Sequence, residues 1–486
     1  MVTRKVFDSF TQRWSYEGGY RQVLFIAVPL ILSTGAWSVQ HFVDRMFLTW
    51  YSPEAIAAAM PAGMLNFTIM SLFLGTAGYV NTFVAQYYGV GHYEKIGPVL
   101  WQGMYIAVVG GIVHLLLIPL ASSIFQFAGH APLVQQYETT YFQILCLGAT
   151  PAIASATMAG FFTGRGRPWP VMWVNTLTTV VNLILDYALI FGKWGLPEMG
   201  IKGAAIATVI SVVFSFFAYL ILLTRSTYDR RYHSLSGWAF NTSLFWRLLR
   251  FGFPSGVQFF LDMAGFTTFL LLVGRLGTVY LAATNIALNI NNIAFMPMMG
   301  FGIAVSVLVG QYLGKNRPDL AERSVYSSFH LTFIYMASVA AAYVLVPNIF
   351  ISPFANQADP VSFAPIWKIT VILLRFVAIY SLFDALNMIF ASAIKGAGDT
   401  RFVMIMIATV SSVTLIIPSY IALVLLHRGV YVGWTIASAY ISILGVIFLF
   451  RFLGGKWKSM RVIEEVAPSA SPLISMDNPS IDKEIG

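Results

Sequence analysis

Charge is what this chain has least of. Only 10% of its 486 residues are Asp, Glu, Lys or Arg, against about 25% in an ordinary soluble domain. Cysteine is nearly absent too. Cys146 stands alone, which excludes an intrachain disulfide framework and a thiolate metal centre. No G-x-x-x-x-G-K-[ST] phosphate loop occurs, so ATP is not expected to drive this chain; Gly454-Gly455-Lys456 has the wrong spacing. H-E-x-x-H, G-x-S-x-G and paired-Cys motifs are missing, and the seven histidines form no cluster with metal-ligand spacing. No catalytic residue is therefore assigned, and an enzyme is not expected. The strict alternation of a membrane β-barrel is lacking as well. So is a small-residue cleavage site after the first apolar stretch, which leaves that stretch as its own insertion signal.

What fills the sequence is apolar. Hydrophobic residues make up 58% of it and the mean hydropathy is +0.74. Runs of the roughly 20 apolar residues needed to span a bilayer as helix recur along it. Twelve spans are expected, near 22–48, 55–87, 98–120, 134–160, 171–192, 200–223, 252–273, 279–312, 322–346, 362–393, 402–426 and 432–453. The formal charge of +9 does not indicate nucleic acid, because the basic residues lie in short loops and at the two ends. Arg4, Lys5, Arg13, Arg21, Lys95, Arg165, Arg167, Lys315, Lys395, Arg401, Arg451 and Lys456 fall on one side with the mid-chain arginines. Lys193, Lys202, Arg275, Lys368 and Arg428 fall on the other. By the positive-inside rule both ends are cytoplasmic, in a multi-pass protein of the plasma (inner) membrane.

The chain divides accordingly. Residues 1–21 form a cytoplasmic N-terminus, 22–223 an N-lobe of spans 1–6, 224–250 a cytoplasmic linker, and 251–453 a C-lobe of spans 7–12. Residues 454–486 form a cytoplasmic tail, polar and rich in Ser and Pro, expected to be disordered. The lobes read as a repeat. Pro29 matches Pro254, Gln86-Tyr87-Tyr88-Gly89 matches Gln311-Tyr312-Leu313-Gly314, and Glu54–Ala58 matches Val279–Ala283, all at one offset of about 225 residues. Gly164-Arg165-Gly166 and Gly396-Ala397-Gly398 follow at a slightly larger offset. Six spans per repeat keep both copies in one orientation, so the fold class is all-α, with twelve transmembrane helices in two pseudo-symmetric six-helix bundles. Rocking of one bundle against the other gives alternating access to the cleft between them.

Against this background four aspartates stand out: Asp44, Asp186, Asp262 and Asp384. Each would cost roughly 2.5–3.5 kcal/mol at the centre of a span, which makes ion or substrate handling the default reading. Asn182 precedes Asp186 by one helical turn, and Thr208 can reach from the next span. Asp44, Asn182, Asp186 and Thr208 together offer an all-oxygen cage. It suits a hard cation such as sodium, and a proton could take the same place. Asp262 and Asp384 define a second site in the other lobe. Asn285, Asn289 and Asn292 make a polar stripe on the eighth span and, with Gln258, are candidates for the substrate cleft.

Several stretches together resemble the multidrug and toxic compound extrusion (MATE) transporters. They are Val181–Asp186 running on to Pro197–Thr208, Phe253-Pro254 through Asp262, Leu308–Gln311, and Asp384-Ala385-Leu386 through Lys395–Arg401. The resemblance implies two six-helix lobes and a secondary antiporter that exports amphipathic organic compounds in exchange for protons or sodium ions, working as a monomer without a cofactor. It implies the cation site for Asp44, Asn182, Asp186 and Thr208, and a coupling role for Asp262 and Asp384. A flippase for a lipid-linked precursor is the alternative. That activity favours a cationic cleft, where this chain has acids.

Overall fold

The computed structural model describes residues 13–355 and 360–464. These residues are almost entirely helical. α1 is Tyr20–Tyr51, and α2 (Pro53–Gly78) continues into α3 (Val80–Val90). α4 (Ile96–Leu117), the short α5 (Ala121–Ala128), α6 (Pro132–Leu147), α7 (Ala149–Gly164), α8 (Trp169–Phe191) and α9 (Ile201–Leu223) complete the first lobe. After α10 (Ser226–Tyr232) come α11 (Thr242–Gly274), α12 (Thr278–Gly314), α13 (Pro318–Leu345), α14 (Pro347–Ala355), α15 (Pro360–Ala397), α16 (Thr400–Val410) and α17 (Val430–Leu453). Among the described residues eleven helices are long and apolar enough to cross a bilayer, and α6 with α7, bent by 46° at Gly148, make a twelfth when the pair is taken as one span. α16 runs on through π-helical turns at Ser411–Ile416 and Ile421–Leu425 on either side of Pro418, whose missing N–H breaks the regular ladder.

Two regions differ from the sequence reading. The linker is not a loose connection. α10 lies inside it, and α11 begins well before residue 251. α10 is pinned to the N-lobe by Arg165, whose buried guanidinium lies 4.6 Å from the Phe161 ring and 4.7 Å from each of the Tyr228 and Tyr232 rings. Nε and Nη1 of Arg165 have no hydrogen-bond acceptor, so the ring faces are what replace water around this cation.

The second difference is the tail, expected to be disordered throughout. Its first part is packed. Lys456–Ser459 is a 3₁₀ turn, Trp457 stacks on Phe452 and is buried, and Val462 and Ile463 join the N-lobe core. Buried apolar side chains fix this strap, and polar composition gave no hint of them. Glu464 ties it down by accepting from Lys95, Arg247 and Tyr87. Residues 465–486 lie outside the described residues.

The hydrogen bonds and ring contacts between the two lobes gather toward one end among the described residues. α2 crosses α11 where Gly75 faces Gly256; a Cβ on Gly75 would sit 2.7 Å from the Gly256 Cα. The counterpart crossing brings Gly300 of α12 against Ile31 of α1, again with a contact of 2.7 Å for an added Cβ. Small residues let the backbones touch, which is how helices associate without a hydrophobic drive. Nearer the end of the molecule that holds Tyr20 and Glu464, the two Gln-x-x-Gly repeats face each other, Gly89 on Gln311 and Gly314 on Gln86. Each glutamine donates across the boundary. Gln86 Nε2 reaches Gly396 O at 3.1 Å and Gln311 Nε2 reaches Gly164 O at 2.8 Å. The sequence repeat has become a reciprocal pair of hydrogen bonds. Thr34 Oγ1 to Met296 O (3.2 Å) and the Phe67–Phe259 ring pair (5.8 Å) mark the far edge of the junction. Beyond it no hydrogen bond, ion pair or ring contact joins the lobes among the described residues, so one end is closed by contacts and the other is left open by their absence.

Two outcomes follow from this closed end. Replacing Gln86 and Gln311 by Ala removes about 1 kcal/mol per hydrogen bond. Spin labels at Thr49 and Thr278, in a Cys146→Ala background, should then show a second, shorter distance population as the open end closes; an unchanged distance distribution refutes the role given to the pair. Burial raises the Glu464 pKa, but hydrogen bonds from Lys95 and Tyr87 outweigh it and hold the carboxyl down at about 2, against an ordinary 4.5. A depressed carboxyl contributes stability above its unfolded value and loses it as pH falls towards the folded one. The melting-temperature gap between wild type and Glu464→Gln should therefore narrow from pH 4.5 down to about 2.

Candidate functional site

The four aspartates lie in two polar clusters, one in each lobe. In the first, α1 brings Gln40 and Asp44, one turn apart, against Asn182 and Asp186 of α8. Asn182 and Asp186 are fully buried and Gln40 nearly so, while Asp44 keeps partial exposure. With its amide nitrogen turned to the surrounding acceptors, Asn182 donates to Asp44 Oδ1 at 3.0 Å and to Asp186 Oδ2 at 3.2 Å. The two carboxyls also meet each other side chain to side chain. No ion pair joins either acid to a base among the described residues, and the adjacent Arg45 is exposed. Asp186 Oδ1 is buried with no hydrogen-bond partner, an acceptor lone pair left over in a site built of oxygens. Tyr141 on α6 is close enough to interact electrostatically with both acids.

Three of the four residues expected in this cage are thus brought together. Thr208 turns its hydroxyl hydrogen back to Ala204 O of its own helix at 3.0 Å, leaving only its lone pairs for a neighbour. Gln40 and Tyr141 were not singled out from sequence. Gln40 carried a signal, since it is polar, within a span and one turn from Asp44. Tyr141 carried none, because tyrosine is common in this chain.

The second cluster lies between α11 and α15. Gln258 Nε2 donates to Asp262 Oδ2 at 2.9 Å, and Lys395 Nζ donates to Gln258 Oε1 at 3.0 Å. Asn387 Nδ2 donates to Asp384 Oδ1 at 3.2 Å, and Tyr440 on α17 interacts electrostatically with both Asp262 and Asp384. Gln258, read as a cleft residue, is the bridge between a carboxylate and an ammonium. Lys395, counted from sequence with the basic residues of one surface, points inward instead. It lies two residues before the end of the long α15, and its four-carbon stem carries the charge back along the helix.

Asn285, Asn289 and Asn292 are exposed on α12, before its Gly300 crossing with α1, and none of them has a hydrogen bond among the described residues. No group of three or more His, Cys, Asp or Glu able to hold a metal ion occurs among the described residues. Any cation in the first cluster would therefore be held by carboxyl, amide and hydroxyl oxygens.

Two helical bundles, fastened to each other at one end and with a pair of acids inside each, define a multi-pass membrane transporter. The chain belongs to the MatE family, whose model matches it twice, over residues 29–188 and 254–421. The two matched segments begin at Pro29 and Pro254, the prolines that open the internal repeat. A Synechocystis sp. protein named "Probable multidrug resistance protein NorM" is 26% identical over 403 residues, covering 82% of this chain and 86% of that protein. A Thermotoga maritima protein of the same name is 24% identical over 447 residues, covering 91% and 94%. The fold is also that of solved structures. An outward-facing multidrug resistance MATE family transporter of the MOP superfamily superposes with a TM-score of 0.81 at 18% identity, over 91% of this chain and 97% of that one. The eukaryotic MATE transporter AtDTX14 gives 0.80 at 19% identity, over 90% and 96%.

The geometry of the first cluster can be checked by stability. Asn182→Leu leaves two acceptors without their shared donor, at about 1–3 kcal/mol for the buried one on Asp186 and less for the partly exposed Asp44. Thermal melts in detergent should show the loss, and Asp44→Asn in the same chain should recover part of it. Strict additivity of the two substitutions would mean that the residues do not interact.

Proposed function

We propose that this chain is a secondary antiporter that exports amphipathic organic compounds in exchange for a cation, proton or sodium, bound by Asp44, Asn182 and Asp186 with Thr208 as a further oxygen donor. Support for the N-lobe cluster as the coupling site comes from one contrast between the lobes. The C-lobe acids have a positive charge built in, Lys395, joined to Asp262 through Gln258. The N-lobe acids have each other, one amide, and no paired base. Two carboxyls in contact away from bulk water cannot both stay ionised without a positive partner. The cluster thus has a place for a mobile cation that the C-lobe fills with its own side chain.

The mechanism follows from the position of this cluster. Asp44 lies on the half of α1 beyond the lobe junction and is partly exposed, so a cation entering the open end reaches it first. Asp186 Oδ1 supplies an unused acceptor deeper in. Neutralising the pair draws α1 and α8 together and changes the shape of the cleft beside them. Exchange requires that cation and substrate each bind one conformation better than the other, since equal binding shifts nothing. Opening the closed end then separates the Gln86–Gly396 and Gln311–Gly164 bonds and carries the cation to the other side. Asn285, Asn289 and Asn292 offer polar contacts for substrate along the cleft, and Asp262 and Asp384 with Lys395 adjust the charge there. The multidrug resistance names of the relatives support organic export. A precursor flippase is less well supported, because the polar groups inside the lobes are mainly acids. Both termini lie in the cytoplasm in this reading, in the plasma membrane, and the chain acts as a monomer.

Reconstitution tests the assignment. In proteoliposomes under an imposed pH gradient, and separately under a sodium gradient, Asp186→Asn should abolish gradient-driven efflux while its folded yield stays normal. Asp262→Asn should keep gradient-driven efflux and change substrate KM. Wild-type rates in Asp186→Asn would refute the proposal.

A further inference from the structure

Where α11 begins, before its apolar stretch, a cavity of about 490 Å³ opens between this helix and the C-terminal strap. Ser243, Trp246, Arg247, Arg250, Phe251 and Arg461 line it. Its charge is lopsided. Glu464 is already shared among Lys95, Arg247 and Tyr87, and Glu322 is held by Lys458 at 2.7 Å. Arg250 makes no ion pair among the described residues and lies 5.9 Å from the Phe251 ring. Arg461 is half-buried and donates only to neutral oxygens: Lys458 O at 3.0 Å, Met460 O at 2.6 Å and Asn316 Oδ1 at 3.3 Å. Burial lowers its pKa, as it does for a cation with no counter-charge. Two guanidiniums thus face one cavity without an anion.

The surface around the cavity says what kind of anion fits. Ser243, Trp246, Arg250 and Phe253 are spaced by three, four and three residues and form one stripe of α11. The opposite face, Leu244 and Leu248, is buried in the N-lobe core. Trp246 is 64% exposed and Phe253 51% exposed. They are two helical turns apart, about 10 Å along the axis, close to the depth of a headgroup layer. Tryptophan is enriched at that level and phenylalanine suits the acyl region below it. A soluble anion would need the arginines but not an apolar path leading down from them.

We propose that this cavity binds the headgroup of an anionic phospholipid from the leaflet at the closed end. The phosphate lies between Arg250 and Arg461, Ser243 can donate its hydroxyl, the Trp246 indole lies at headgroup depth, and the acyl chains run past Phe253. Arg247 remains paired with Glu464 and braces the strap that carries Arg461. A bound lipid would thus join α11 to the strap, two elements that meet both lobes.

The test is lipid retention by the purified full-length protein, incubated with an equimolar mixture of phosphatidylglycerol and phosphatidylcholine of matched chains and read by native mass spectrometry. Wild type should retain phosphatidylglycerol in preference, and Arg250→Gln with Arg461→Gln should lower that preference about thirtyfold, as expected for two lost basic contacts near a lipid surface. Arg225→Gln with Arg230→Gln removes the same charge from exposed positions of the linker and should leave the preference unchanged. Equal retention of the two lipids by wild type, or an undiminished preference in the double variant, overturns the proposal. Displacement of phosphatidylglycerol by inorganic phosphate at comparable concentration would overturn it in favour of a soluble anion. If the double variant elutes as aggregate, Arg250→Gln alone decides, because its side chain is exposed and supports no packing.

Discussion

Close backbone contact between the lobes at one end is the constraint on which the rest of this structure depends. In lipid there is no hydrophobic gain from pressing apolar helices together, so association rests on close packing and hydrogen bonds. Both are supplied over one half of the molecule only. Gly75 against Gly256 and Gly300 against Ile31 set two crossings, and the Gln86 and Gln311 bonds close the end beyond them. Because these contacts are related by the internal repeat, they form a matched set. Helices pinned at one end by such a set are free to separate at the other.

The placement of the acids follows from the same geometry. Asp44 lies on the part of α1 that has already left the junction, and Asn182 and Asp186 face it from α8. Asp262 lies a turn and a half beyond the Gly256 crossing on α11. Placing four carboxyls, two of them buried, inside an apolar protein is tolerable only if each has partners. The two lobes meet this requirement differently, one with a fixed ammonium delivered through Gln258, the other with an amide shared between two acids. Pseudo-symmetry of the backbone therefore does not extend to the chemistry. The strap at residues 456–464 breaks symmetry as well, since one C-terminal segment lies against both lobes and leaves a basic cavity on one side alone.

Much of this was legible from the residues. Apolar runs, the asymmetry of Lys and Arg and a recurring offset were sufficient for twelve spans in two bundles, because a bilayer leaves backbone polar groups few ways to be satisfied. Asp44, Asn182 and Asp186 were legible because acids in spans are rare and one turn of helix separates two of them. What was not legible depended on reach or on partners distant in sequence. Lys395 sits near a helix end and reads as a surface charge until its side chain is followed inward to Gln258. Tyr141 and Gln40 acquire meaning only from the helices that face them. Thr208 has the right register but donates to its own helix. The strap reads as a polar tail because three buried residues, Trp457, Val462 and Ile463, are too few to alter its composition.

The sequence by itself determined that this chain crosses a membrane as two repeated sets of helices with acids inside them, since hydropathy, residue spacing and repeat offset are properties of the linear chain. Which acids touch, which one meets a lysine, where the lobes are joined, and that the C-terminal segment packs beneath them were decided only by tertiary structure. The physical reason is that these features rest on contacts of a few ångströms between groups up to several hundred residues apart. No local pattern encodes such a contact until packing brings the two groups together.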